Sequence, residues 1–315
     1  MAIRPHVDYN VRLDAIEGLA SSGKPAKQAI GFFLSETAMT SSTIVQRLGE
    51  AIQLLEGIGL EVKCVVCDQG STNVRAMKDL GASLMLREDG SLSHCLSLGR
   101  CIPLIFDVPH LIKSVRNNLK KHPIQVEGQE VTWRHIEDFF LEDRKSPIRM
   151  APKLTEKHIS LPPFSNMTVK LATQVFSHSV AAGMKTMVIN GTLQEEALHT
   201  ANFVEKLDRL FDVLNSRSIK DQKYWRRPLT GNSSRMDYLQ TCLGWLKTWK
   251  FGSSRTPPCH AGLIASIQSV SKIHQELQSE GVTVLCTSKL NQDCLEAEHS
   301  SFLLRSDLRC SSCRV

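Results

Sequence analysis

Residues 64–73 read CVVCDQGSTN, a short apolar run closed by one carboxylate, Asp68, and then by turn-forming residues. An apolar run of this length, bounded by Gly, Ser and Asn, reads as a buried strand, and TNVRAMKDLGA after it reads as a short helix ending near Gly81. The pattern returns at 101–122, CIPLIFDVPHLIKSVRNNLKKH. Ile102 to Phe106 forms a second apolar strand, closed by Asp107, and Pro109 stands where a helix can begin. Leu111, Ile112, Val115 and Leu119 then mark one helical face, while Lys113, Arg116, Lys120 and Lys121 lie largely off it. The spacing predicts the most basic amphipathic helix of the chain.

Upstream, residues 1–25 are polar and broken by Gly18, Gly23 and Pro25, which predicts a loose lead-in. Over 41–58, Ile44, Val45, Leu48, Ile52, Leu55 and Ile58 fall at helical spacing behind Ser and Thr caps. Downstream, Pro147, Pro152, Pro162 and Pro163 punctuate 143–165 and suggest a boundary. Beyond it the pattern is helical over 166–187, 192–215, 235–249 and 261–279, then a short strand at 282–286 and a last helix over 288–304. The expected organisation is an α/β domain over 1–145, an all-α insertion over 146–281, and a return to the first unit over 282–315 with an atypical tail.

Composition narrows the class. With 315 residues, 42% of them hydrophobic, the chain can bury a sizeable core. No run of about eighteen apolar residues appears, and the first residues lack the order of a signal peptide, so an intracellular, unanchored protein is expected. A net charge of +6 favours a polyanionic partner without requiring one. Ten cysteines in such a chain are expected to be reduced and mostly buried. Cys64 and Cys67, three apart on a strand, point to opposite faces and read as core thiols; Cys310 and Cys313 read as incidental.

The chemistry that stands out is acidic. Asp68 and Asp107 each end an apolar strand, and Asp293 and Glu296 lie three apart, on one face of the last expected helix. Carboxylates gathered from strand ends and a helix can hold two Mg²⁺ ions, which activate an attacking oxygen and stabilise a leaving one in phosphodiester chemistry. The alternatives are ordinary: an Asp after a strand commonly opens a turn or caps a helix, and acids on a helix are commonly solvated.

Taken together, VVCDQGSTN, FDVPHLIKSVRNNL, LPPFSNMTVKLATQVFSHSVAAG, FVEKLDRLFDVLNS and TSKLNQDCLE resemble the P-element-type transposases, a family whose members often carry an N-terminal THAP zinc finger. The resemblance runs from about residue 1 to 296. It implies a ribonuclease-H-like domain with a D-D-E triad, interrupted by a helical insertion named for GTP binding. It places Asp68 as the second catalytic Asp, Glu296 as the catalytic Glu, and Asp293 beside it as a metal-binding neighbour. Asp107, His110, Lys113 and Arg116 match a segment in which the Asp orders the fold and the cations, with Lys120 and Lys121, face DNA phosphate. The implied cofactors are Mg²⁺ or Mn²⁺ and, through the insertion, GTP. The implied partners are DNA and either a second copy or a full-length transposase, in the nucleus and away from membranes.

Three departures shape the expected activity. Met1 matches the position just after the family's first Asp, a strand between SSGKPAKQ and AIGFFLSE looks deleted, and the residues after Glu296 depart from the family pattern. No zinc finger precedes the domain, and GxxxxGK[ST] does not occur, so LTGNSSR reads as a surface loop. The reading is a transposase fragment truncated at both ends, catalytically inactive as this chain and retaining nonspecific DNA or protein binding. The alternatives are an active enzyme with an unrecognised third carboxylate, for which Asp8 and Asp14 lack a rigid strand, or a product without function.

Overall fold

In the computed structural model the described residues are 39–83, 94–162, 165–231, 233–252 and 256–292. Helix α1, Ser41–Gly57, opens on Thr40, whose hydroxyl accepts the Thr43 amide at 3.2 Å, and it buries Ile44, Leu48, Ile52 and Leu55. It packs on α2, Ser71–Asp79. Between them runs β1, Val65–Cys67, shorter than the apolar pattern and buried throughout. Strand β3, Cys101–Phe106, lies between β1 and β2, Cys95–Ser97. It runs parallel to β1, with Cys67 opposite Phe106, and antiparallel to β2. Helix α3, Val108–Leu119, starts directly from β3 with Asp107 as its cap and Pro109 in its first turn.

The insertion is built differently. A hairpin of β4, Ile124–Val126, and β5, Gln129–Val131, turns through Glu127 and Gly128, both at positive φ, and leads into α4, Trp133–Asp143. After α5, Glu156–Ile159, and a 3-10 turn at Ser165–Met167 come α6, Val169–Val175, and α7, His178–Ile189. The helix expected over 166–187 is therefore broken, because Phe176 leaves helical geometry at ψ 74° and Ser177 is extended ahead of α7. Helix α8, Ala197–Leu214, packs along α7. Strand β6, Leu229–Thr230, α9, Ser234–Lys247, and β7, Lys250–Phe251, follow, with β7 pairing back onto β4.

Packing runs across the boundary that the prolines suggested. The boundary expected near 146 falls inside the helical block, whose β4–β5 hairpin and α4 already pack on α7 and α8. The proline stretch folds around the buried Asp143, which accepts the Met150 amide at 2.7 Å and the Arg149 Nε at 3.0 Å. At the far end, α10, Pro258–Ser279, leaves the block and lies against β3 and α3, so the chain rejoins the sheet before residue 282. Small residues on α10 permit this approach: a Cβ on Gly262 would meet Leu111 Cδ2 at 2.7 Å. The strand expected at 282–286 forms as β8, Val284–Leu285, yet it pairs antiparallel with β6 of the block.

The thiols differ from expectation at one place. Cys64, Cys67, Cys242 and Cys259 are buried free thiols, whereas Cys95 and Cys101 form a disulfide across the β2–β3 hairpin, their Cα atoms 5.2 Å apart. Among the described residues no helix is long and apolar enough to cross a membrane.

Candidate active site

Parallel pairing in register puts the two strand-closing acids side by side, since Asp68 follows Cys67 and Asp107 follows its partner Phe106. The Asp107 amide donates to the Cys67 carbonyl at 2.9 Å, which extends the ladder one residue past the strands. Both carboxylates press on the Cys67 thiol. Burial above all, then the charges of Asp68 and Asp107, push that thiol well above its ordinary range, so it stays protonated and inert.

The two acids nevertheless differ. Asp68 is half-buried, and one oxygen, Oδ1, accepts both the Gly70 amide at 2.8 Å and the Asn73 Nδ2 at 2.7 Å. This closes the turn that launches α2 and leaves Oδ2 as an open hard donor. Gln69, next along, donates to the Pro258 carbonyl at 2.9 Å and ties the turn to the start of α10. Asp107 is 1% exposed, and both its oxygens are engaged. Oδ2 accepts the His110 amide at 3.0 Å and faces His110 Nδ1 at 2.5 Å, while Oδ1 accepts the Gln292 amide at 2.7 Å. Asp107 thus caps α3 and anchors the chain at Gln292, and it fits a structural role better than a metal ligand.

Asp293 and Glu296, the other expected metal ligands, lie outside the described residues, as do Asp8 and Asp14. Among the described residues no group of three or more His, Cys, Asp or Glu side chains could hold a metal ion. Asp68 fits one ligand position of such a site, as a half-buried residue at a strand end whose Oδ1 alone takes the hydrogen bonds of the turn.

The expected basic face of α3 is corrected by burial. Arg116 is fully buried, its Nη2 donating to the Asn166 carbonyl at 2.8 Å and its Nε to Asn117 Oδ1 at 2.9 Å. Burial lowers the pKa of that guanidinium. Lys113 is also buried, and Lys120 donates to the Ile159 carbonyl at 2.5 Å beneath Trp133. Of the four cations, Lys121 alone is exposed and Lys120 is half-buried. The helix is packed on two sides, by α10 and by α6 with the adjoining 3-10 turn, and a single apolar face in the sequence does not reveal the second.

Sequence reasoning missed Gln69, Ser266 and Ser269. Ser266 Oγ accepts the Phe106 amide at 3.0 Å and donates to the Phe106 carbonyl at 3.1 Å; Ser269 Oγ donates to the Leu104 carbonyl at 2.6 Å. Two serines three apart on the largely apolar 261–270 stretch of α10 were the available signal.

Comparison with known proteins bears on the fold that holds these residues. Residues 19–81 match the family described as TNP-like, RNase H N-terminal domain, and residues 109–228 match TNP-like, GTP-binding insertion domain. The chain is 28% identical over 296 residues to the transposable element P transposase of Drosophila melanogaster, covering 92% of this chain and 37% of that protein. The chain is a P-element transposase homologue. This homologue is also 27% identical over 238 residues to the human DNA transposase THAP9, covering 69% of this chain and 25% of that one. It therefore spans well under half the length of either relative. Its fold superposes on the Drosophila P element transposase strand transfer complex with a TM-score of 0.76 at 25% identity, covering 94% of this chain and 70% of that one. The homologue is thus a mixed α/β protein with a ribonuclease-H-like N-terminal domain and an insertion domain.

Proposed function

We propose that this homologue carries the metal-binding corner of a P-element-like DNA transposase, with Asp68 as a catalytic carboxylate, and that the 315 residues alone bind DNA without cutting it. The observation that carries this reading is the contrast at the strand ends: Asp68 keeps an oxygen open, whereas Asp107 beside it spends both on the fold. Mg²⁺ or Mn²⁺, when bound, would activate the attacking oxygen and stabilise the leaving one. Asp68 would hold it through Oδ2, while Gly70 and Asn73 fix the carboxylate's orientation through Oδ1. Asp293 and Glu296 are proposed as the acids that join it, supported by their match to the QDxLE motif. GTP as a ligand of the insertion, a second copy or full-length transposase as partner, and a nuclear location belong to the same reading; the name of the matched insertion domain supports the first, and relatives that act on DNA are consistent with the last.

The test is Mg²⁺- or Mn²⁺-dependent cleavage and strand transfer on plasmid and short duplex DNA, beside Asp68→Ala and Glu296→Ala. The expected outcome is no product from any of the three and salt-sensitive DNA binding by all. Product from the parent chain, lost in both variants, would confirm Asp68 and Glu296 as catalytic and overturn the inactivity. A chain that melts cooperatively and binds no DNA would remove the binding reading altogether.

A further inference from the structure

With Lys113 and Arg116 of α3 buried and Lys120 half-buried, a different surface offers a concentration of exposed positive charge. Residues 217–227 read RSIKDQKYWRR, with five cations against a single acid, Asp221. Arg217, Lys220, Lys223 and Arg227 are exposed. Tyr224, 44% exposed, stands among them.

The loop is ordered from beneath. Asp221 Oδ1 accepts the Lys223 amide at 2.9 Å, and its carbonyl accepts Arg227 Nε at 2.9 Å. Trp225 packs on Tyr238 with ring centroids 4.8 Å apart, and Arg209 lies 5.8 Å over the same indole. Lys223 and Arg226 also reach the buried Asp212, each at 3.6 Å. A loop held this firmly loses little conformational freedom on meeting a partner.

Its root is bonded to the segment that approaches Asp107. Ser216 and Thr287, both buried, share a hydroxyl contact of 2.8 Å, and the Ser216 amide donates to Thr287 Oγ1 at 2.9 Å. The Ser288 amide donates to the Ser216 carbonyl at 3.0 Å, and four residues on Gln292 reaches Asp107. The basic loop is thereby fixed relative to the strand ends.

We propose that loop 217–227 binds the phosphate backbone of DNA and guides it toward the strand-end carboxylates. The proposal deepens the transposase reading and rests on it. A row of exposed cations on an ordered loop suits phosphates, to which Arg and Lys supply charge and donors without reading sequence.

Fluorescence anisotropy of a labelled duplex of arbitrary sequence, titrated with the full chain from about 50 to about 200 mM salt, tests it. Each phosphate contact contributes about 0.9 to the slope of log affinity against log salt. Lys220→Gln is expected to lower the slope by about 1, and Lys220→Gln/Lys223→Gln by about 2, with affinity falling about tenfold. Lys120→Gln/Lys121→Gln at the end of α3 is expected to change the slope little, and Lys220→Arg/Lys223→Arg to retain it. An unchanged slope in both loop variants, with the parent still binding, overturns the loop and leaves the transposase reading standing. Displacement of the duplex by polyglutamate as readily as by unlabelled duplex would make this a general polyanion surface and overturn the DNA assignment. A parent chain that binds no duplex at the lowest salt removes both proposals together.

Discussion

Along β3 and α10 the buried hydroxyls answer backbone groups: Ser266 holds both polar atoms of Phe106, and Ser269 holds the Leu104 carbonyl. In the helical block the corresponding interior is aromatic. Phe203, Trp245 and Trp249 stand with ring centroids 4.9 to 5.5 Å apart, and the Trp249 indole nitrogen is buried with no partner. The first region is fixed by directional bonds and the second by shape. Directional bonds hold a carboxylate to a small fraction of an ångström, which a metal site needs. Shape-filling packing tolerates ionisable groups at its margin, and there Asp208 and Asp212 have their carboxyls pushed up by burial.

The largest expected effect would break the sheet side of this contrast. Asp107→Ala leaves the His110 and Gln292 amides without their acceptor and removes the cap of α3, and urea unfolding is expected to show a loss of about 3–4 kcal/mol. A loss below about 1 kcal/mol would mean the corner is not held by directional bonds.

The next effect sharpens the helical side. The Asp208 carboxyl, pushed up to about 6 by burial first and by the Asp212 charge second, binds its proton more tightly folded than unfolded. Between the unfolded value near 3.8 and about 6, the folded state holds the extra proton, so this group's contribution to stability falls as pH rises and stays low above about 6. Asp208→Asn is accordingly expected to raise stability by about 2–3 kcal/mol at pH near 7.5 and by almost nothing below about pH 3.5, read as the shift in Tm across a pH series. A gain independent of pH would show that packing is at work, not charge.

The smallest effect probes the seam between the regions. Thr287→Val removes the hydroxyl that donates to the Val213 carbonyl at 2.6 Å and meets Ser216, for an expected loss of about 1–2 kcal/mol and faster amide exchange at Ser288 and Gln292. Unchanged exchange there would mean the seam does not hold the segment leading to Gln292.

Much of the fold was legible where one face of an element decides its place. Helix α1 shows its buried stripe directly, and β3 with Pro109 after it announces the strand-to-helix turn. Legibility failed where an element has two packed faces. Arg116 reads as a surface cation because periodicity marks one apolar stripe, while the 3-10 turn at Ser165–Met167 comes from a distant part of the chain to cover the other side. Asp107 and Asp68 look alike in sequence; the amide of Gln292, 185 residues from Asp107, tells them apart. The pairing of Cys95 with Cys101 depends on how a hairpin brings two side chains together, which composition does not encode.

The two-residue pairing of β6 with β8 has a practical consequence for anyone wishing to exchange this helical block between relatives. Cutting at the ends of the block as the chain enters and leaves it would separate Leu229 from Leu285 and abandon a strand that lies beyond α10. A graft that respects the stitch must carry residues 284–290 along with the block, and with them the stretch of chain that ends on Asp107. The two modules therefore have to be moved as one piece.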